Sequence, residues 1–196
     1  MSKAREIVKK SILSNPMDKD IKPSEFIQKY WNICAEFKPD RSVSGAVFEE
    51  LLMLALIRAG ISPVYYQAKL AFVPNVVLDI VLYNRKTPVT FSAKTTLRER
   101  WKQADLEAMA TKYVHREAKC YVITLSEAEV AMRRNNENSY MGIDKFILAN
   151  TQEFDHLIEE LKQINFTDSE SIKIIQTDDK FYDQERISNI YQINFE

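Results

Sequence analysis

Apolar positions recur every three to four residues at the front of the chain and every two residues in its middle, so a helical opening is expected to give way to strands. Residues 3–13 predict a short amphipathic helix, and Pro23-Ser24-Glu25 opens a second that runs through Phe26, Tyr30, Trp31 and Ile33. A third is expected from about Ser44 to Arg58, ending at Ala59-Gly60, where glycine accepts the left-handed turn that closes many helices. The period then changes. NVVLDIVLY, from Asn75 to Tyr83, and TPVTFSAKT, from Thr87 to Thr95, are strand-like runs, and Asn84-Arg85-Lys86 between them is short enough for a hairpin. A long helix follows from about Leu97 to Val114. Two further strands, Cys120 to Leu125 and Lys145 to Ala149, alternate with helices near residues 127–134 and 152–163. The pattern as a whole is α/β, a sheet flanked by helices.

Composition narrows the organisation. A chain of 196 residues that is 45% hydrophobic can bury a full core, and its three glycines and the absence of a Pro/Ser-rich linker or repeat give no internal boundary. A single domain over 1–196 is expected, with an N-terminal helical region (1–43), a core carrying the candidate chemistry (44–165) and a C-terminal extension (166–196). Cys34 and Cys120 each lie in apolar-aromatic surroundings, and MSKAREIVKK lacks the apolar core of a secretory signal, which points to a reducing cytoplasm. No apolar run approaches the roughly 20 residues that span a bilayer.

The net charge is -1, but it is unevenly laid out. Residues 1–23 hold six Lys/Arg against three Asp/Glu, and residues 166–196 hold seven Asp/Glu against three Lys/Arg. Balance overall therefore permits a local basic surface. The densest basic stretch is FSAKTTLRERWKQADLE, Phe91 to Glu107, in which Glu99 and Glu107 are threaded among Lys94, Arg98, Arg100 and Lys102.

Asp79 interrupts an apolar strand, where a carboxylate on a buried face costs several kcal/mol unless a charged partner or a metal meets it. On the paired strand Thr90, Ser92 and Lys94 share one face by two-residue alternation, so Lys94 is expected beside Asp79 at the same sheet end. A plain ion pair would satisfy both. At 100° per residue, Arg100, Gln103 and Glu107 share one side of the following helix, beside an apolar stripe of Leu97, Trp101, Ala104 and Ala108. Glu107 can thus face the sheet end that carries Asp79 and Lys94.

An Asp on one strand followed by an acidic residue, any residue and Lys on the next resembles the site of PD-(D/E)xK nucleases. Here Ser92 stands where the second acid is usual. Ser92-Ala93-Lys94, then Arg98-Glu99-Arg100-Trp101, Gln103 and Glu107, resemble the signature of type II restriction endonucleases of the SsoII, PspGI and EcoRII group, in which that acid has moved to the helix. The resemblance is dense over Asp79 to Glu107. It implies a restriction-endonuclease-like fold, Mg²⁺ held by Asp79 and Glu107, and Lys94 assisting the attacking water.

In that group the basic-acidic-basic triplet reads CC paired with GG, which assigns base recognition to Arg98, Glu99 and Arg100. The chemistry is sound, because arginine matches O6 and N7 of guanine while glutamate accepts from N4 of cytosine. The resemblance further implies double-stranded DNA as substrate, a homodimer on a two-fold site, 5′ overhangs and a cognate cytosine methyltransferase in the same system. Glu49 resembles an acidic residue that this fold brings towards the site, with Glu50 the competing choice. Tyr30 and Trp31 are candidates for stacking a flipped base, although Phe26, Tyr30 and Ile33 also suit a core stripe. His115 and His156 have no partner at metal-ligand spacing and are given no role. Two rivals stay open: a non-specific or repair nuclease of the same fold, and a DNA-binding relative that has lost catalysis.

Overall fold

The computed structural model describes residues 2–70, 73, 76–168, 175–176 and 181–193, with the side chains of Leu70, Glu137, Ile175 and Gln176 excepted. Three helices come first: α1 (Lys3–Ser14), α2 (Pro23–Ala35) and α3 (Arg41–Arg58). Pro23 sits in the first turn of α2, where its missing N–H costs nothing, and Asp40 caps α3 by accepting from Val43 N at 2.9 Å. α3 is apolar nearly all round from Val47 to Ile57 and is correspondingly buried beneath its neighbours.

The strands are β1 (Val64–Leu70), β2 (Leu78–Leu82), β3 (Val89–Lys94), β4 (Lys119–Thr124), β5 (Lys145–Leu148), β6 (Ile175–Gln176) and β7 (Phe181–Tyr182). Between or after them lie α4 (Arg100–Val114), α5 (Glu127–Arg134), α6 (Gln152–Lys162) and α7 (Gln184–Tyr191). They form a mixed sheet in the order β5-β4-β3-β2-β1-β6, with β7 also pairing β1. β1, β2 and β3 are antiparallel neighbours, whereas β3, β4 and β5 run parallel, each joined to the next across a helix.

Side-chain alternation assigns the two faces. Val89, Phe91 and Ala93 of β3 join a core with α1, α2, α3 and α6, while Leu97, Trp101, Ala104 and Ala108 of the α4 segment form another with Cys120, Val122 and Phe146. The first of these cores runs from Ala4 to Tyr191, so the N-terminal helices and α7 share it with the central strands. Asp155 of α6 accepts from Ser24 N and Oγ at 2.8 and 2.7 Å, which ties α2 to α6.

Several boundaries differ from the sequence expectation. β2 begins at Leu78, not Asn75, which lies outside the described residues. β3 begins at Val89, so the hairpin loop is wider than three residues, and Asn84 Oδ1 closes it by accepting from Lys86 N and Thr87 N at 3.0 and 2.9 Å. The helix expected from Leu97 starts at Arg100, because Leu97–Glu99 make a turn with Arg98 at φ 35°. β1, β6, β7 and α7 lie beyond the elements that the sequence pattern predicts. No helix among the described residues is long and apolar enough to cross a membrane.

Candidate functional site

Asp79 and Lys94 meet at one end of the hairpin formed by β2 and β3. Lys94 Nζ lies 2.8 Å from Asp79 Oδ2, their side chains only 7% and 14% exposed, and Ala93 N donates to the same oxygen at 2.8 Å. The otherwise costly carboxylate is therefore compensated by a charge and a backbone donor together. Ladder pairs Ile80–Phe91, Val81–Thr90 and Leu82–Val89 fix the register of the hairpin next to Asp79.

Glu107 comes to the same end of the sheet from α4. It lines a small cavity with Thr90 and Ser92 of β3 and with its helix neighbours Ala104 and Ala108, and it accepts from Gln103 Nε2 at 2.8 Å. Burial and the field of Asp79 push its carboxyl above the usual range, against the pull of Gln103 and Lys94. Asp79, Lys94 and Glu107 thus lie within electrostatic reach of one another, as the helical phase of Gln103 and Glu107 predicts.

The aim of α4 is set by Asp105, two residues before Glu107. Its buried carboxylate accepts from Gly142 N at 2.7 Å, Ile143 N at 3.1 Å and Met141 N at 3.0 Å, and Lys112 pairs with Asp144 at 2.9 Å two turns further on. Gly142 is needed for this approach: a Cβ there would lie 2.4 Å from Met109 N and 2.7 Å from Asp105 O.

From the opposite side α3 contributes Glu49. Its Oε2 accepts from Gln67 Nε2 at 2.7 Å, and the same nitrogen lies 3.4 Å from Asp79 Oδ1. Gln67 is at φ 48°, a left-handed conformation unusual for a non-glycine residue in a strand, and it spans the two acids with one amide. Burial, then the charge of Asp79, pushes the Glu49 carboxyl up to about 7, although Tyr66, Gln67 and Lys94 oppose this. The same surroundings, burial first and Glu49 next, raise the phenol of Tyr66. Sequence reasoning missed Gln67 and Tyr66, since a polar residue within VYYQAKL carries no signal until its strand is placed.

Glu50 points the other way. It is buried, pairs with Arg5 at 2.9 Å and accepts from the hydroxyl of Tyr191, so it fastens α1 and α7 to α3 and is no part of the site. Of the two adjacent acids, Glu49 is the one that approaches Asp79.

Arg98, Glu99 and Arg100 are exposed at the turn leading into α4. The turn is held by Glu129 of α5, whose carboxylate accepts from Leu97 N and Arg98 N at 2.8 and 2.9 Å. Burial works against that charge, but the two backbone donors prevail and hold the carboxyl below the usual range. Glu99 pairs with Lys102, and Arg133 lies 4.8 Å above the Trp101 ring, which is itself buried. Two arginines and a carboxylate are thus exposed together at this turn.

Tyr30 corrects an expectation. It is fully buried, its hydroxyl donates to Asn15 O at 2.6 Å, and its ring lies 4.8 Å from that of Phe26, so the core-stripe alternative describes it and it offers no surface to a base. Trp31 is half-buried, edge-on to Phe48 at 5.8 Å.

The acidic side chains at this sheet end, Asp79, Glu107 and Glu49, supply only oxygen, as a hard cation prefers, and the charge of Asp79 helps push the carboxyl groups of Glu49 and Glu107 upwards. Among the described residues no group of three or more His, Cys, Asp or Glu side chains is placed to hold a metal ion, so Asp79 and Glu107 are considered as a pair. The set fits Mg²⁺, which keeps several waters and needs few protein carboxylates, better than an ion that requires a full protein shell. No family model matches the chain, and no curated protein matches it.

Proposed function

We propose that the protein is a Mg²⁺-dependent endonuclease of the type II restriction class, with a PD-(D/E)xK site, that cuts double-stranded DNA at a short sequence built from CC and GG. The observation that carries this reading is the convergence of Asp79, Lys94 and Glu107 at one end of the sheet, a few residues from the exposed triplet Arg98-Glu99-Arg100. Asp79 and Glu107 would hold the cation, with Glu49 as an outer carboxylate linked through Gln67. When bound, Mg²⁺ supplies charge stabilisation at the phosphate and a more acidic water.

The chain's own residues supply the rest. Lys94, held against Asp79, is placed to orient the attacking water by hydrogen bonding and to offset charge gathering on the phosphate. Glu49 is poised near neutrality, as a residue that shuttles a proton should be. Arg98 and Arg100 present forks to guanine, and Glu99 accepts from cytosine once it leaves Lys102. Two such triplets on a two-fold site imply a homodimer with one active site per strand.

A second reading keeps hydrolysis and drops base recognition: Glu99 is already engaged by Lys102, as in an ordinary solvated helix start. Digesting phage DNA with the purified protein and Mg²⁺, then sequencing the fragment ends, separates the two. Ends confined to CC and GG sites, and lost in Lys94→Ala, support the main reading. Ends scattered without sequence preference support the second, and intact DNA with specific binding in Ca²⁺ marks an inactive relative.

A further inference from the structure

Ser92 is 8% exposed, and its Oγ has no hydrogen-bond partner among the described residues. A buried hydroxyl left unpaired works against folding, and alanine would fill the same place on β3 without that penalty. The neighbouring polar groups are accounted for: Thr90 is turned to the Cys120 thiol, and Lys94 to Asp79. Ser92 instead faces the small cavity between β3 and α4, whose wall also includes Glu107. Ser92 follows the last ladder pair, Ile80–Phe91, and precedes Ala93 and Lys94, which both donate to Asp79, so it lies at the sheet end that carries that acid.

We propose that Ser92 is a positioning residue for Glu107: its hydroxyl donates, through one water held in that cavity, to the Glu107 carboxylate and turns it towards Asp79. A bridging water needs at least two polar partners, and the cavity wall provides them in the Ser92 hydroxyl and the Glu107 carboxylate. Without this anchor the Glu107 side chain has, among the described residues, only the hydrogen bond from Gln103, an exposed partner on its own helix. The serine thus does for the relocated acid what an outer-shell hydrogen bond does for other metal ligands. The inference rests on the reading of Asp79 and Glu107 as a shared cation site.

The test pairs two measurements on Ser92→Ala: thermal unfolding of the metal-free protein, and Mn²⁺ affinity followed by the resonance signal of free Mn²⁺. Ser92→Ala should unfold no lower than wild type, and at a higher temperature if relief of the unpaired hydroxyl dominates, yet bind Mn²⁺ roughly tenfold more weakly. Unchanged Mn²⁺ affinity overturns the inference, as does a loss of affinity accompanied by a lower unfolding temperature, which would make Ser92 merely structural. Asp79→Asn separates the two levels of the argument. If wild type binds Mn²⁺ and Asp79→Asn does not, the cation site stands whatever Ser92 does; if wild type binds none, the site and the role of Ser92 fall together.

Discussion

At the scale of single residues, the informative feature is a carboxyl group that its neighbourhood pushes well above the usual range. Glu49 ordinarily ionises near 4.5 and here is pushed up to about 7, by burial and then by Asp79. An acid whose pKa is raised on folding binds its proton more tightly in the native state, so its stabilising effect is complete below about 4.5 and is lost as the pH rises through about 7. Glu49→Gln, which never ionises, should abolish that loss. In divalent-free buffer, denaturant melts should show the variant gaining on wild type by about 1–3 kcal/mol across this interval. Parallel pH profiles for the two proteins would mean that Glu49 is not held between Asp79 and the core.

At the scale of elements, α4 has two jobs, aiming Glu107 inwards and presenting Arg98 to Arg100 outwards, and separate contacts govern them. Asp105 anchors the helix body to the loop at Met141–Ile143, so Asp105→Ala leaves three backbone N–H groups short of a buried acceptor. It should destabilise the protein by about 2–4 kcal/mol in equilibrium unfolding, and a loss under about 0.5 kcal/mol would show that the loop finds other partners. Glu129 holds the turn before α4 and also engages Ser126 at the start of its own helix. Glu129→Ala should therefore leave hydrolysis intact while relaxing discrimination between cognate and one-mismatch duplexes, by about 1 kcal/mol in competition binding. Undiminished discrimination would detach Glu129 from the recognition turn.

At the scale of the whole molecule, legibility in the sequence followed the range of the interactions. The hairpin, the Asp79–Lys94 pair and the approach of Glu107 rest on local periods of two and 3.6 residues, and these the sequence carries openly. Glu50 and Tyr30 were ambiguous for the same reason: a carboxylate or phenol on a helix reads alike whether it faces a site or a core. Only α1 and α7, closing on Glu50 through Arg5 and Tyr191, decide the first case, and only Phe26 and Asn15 the second. Gln67 was illegible because its importance lies in a left-handed backbone angle and in two acids 12 and 18 residues away along the chain. Local propensity carries neither fact.

The central claim is that a helix-borne acid and a strand-borne acid hold one cation between them. Crystals soaked in Mn²⁺ and measured at the manganese absorption edge test it directly. The account predicts one anomalous peak within coordination distance of carboxylate oxygens from both Asp79 and Glu107, absent in Asp79→Asn. A peak elsewhere, or no peak at Asp79 and Glu107, would contradict it.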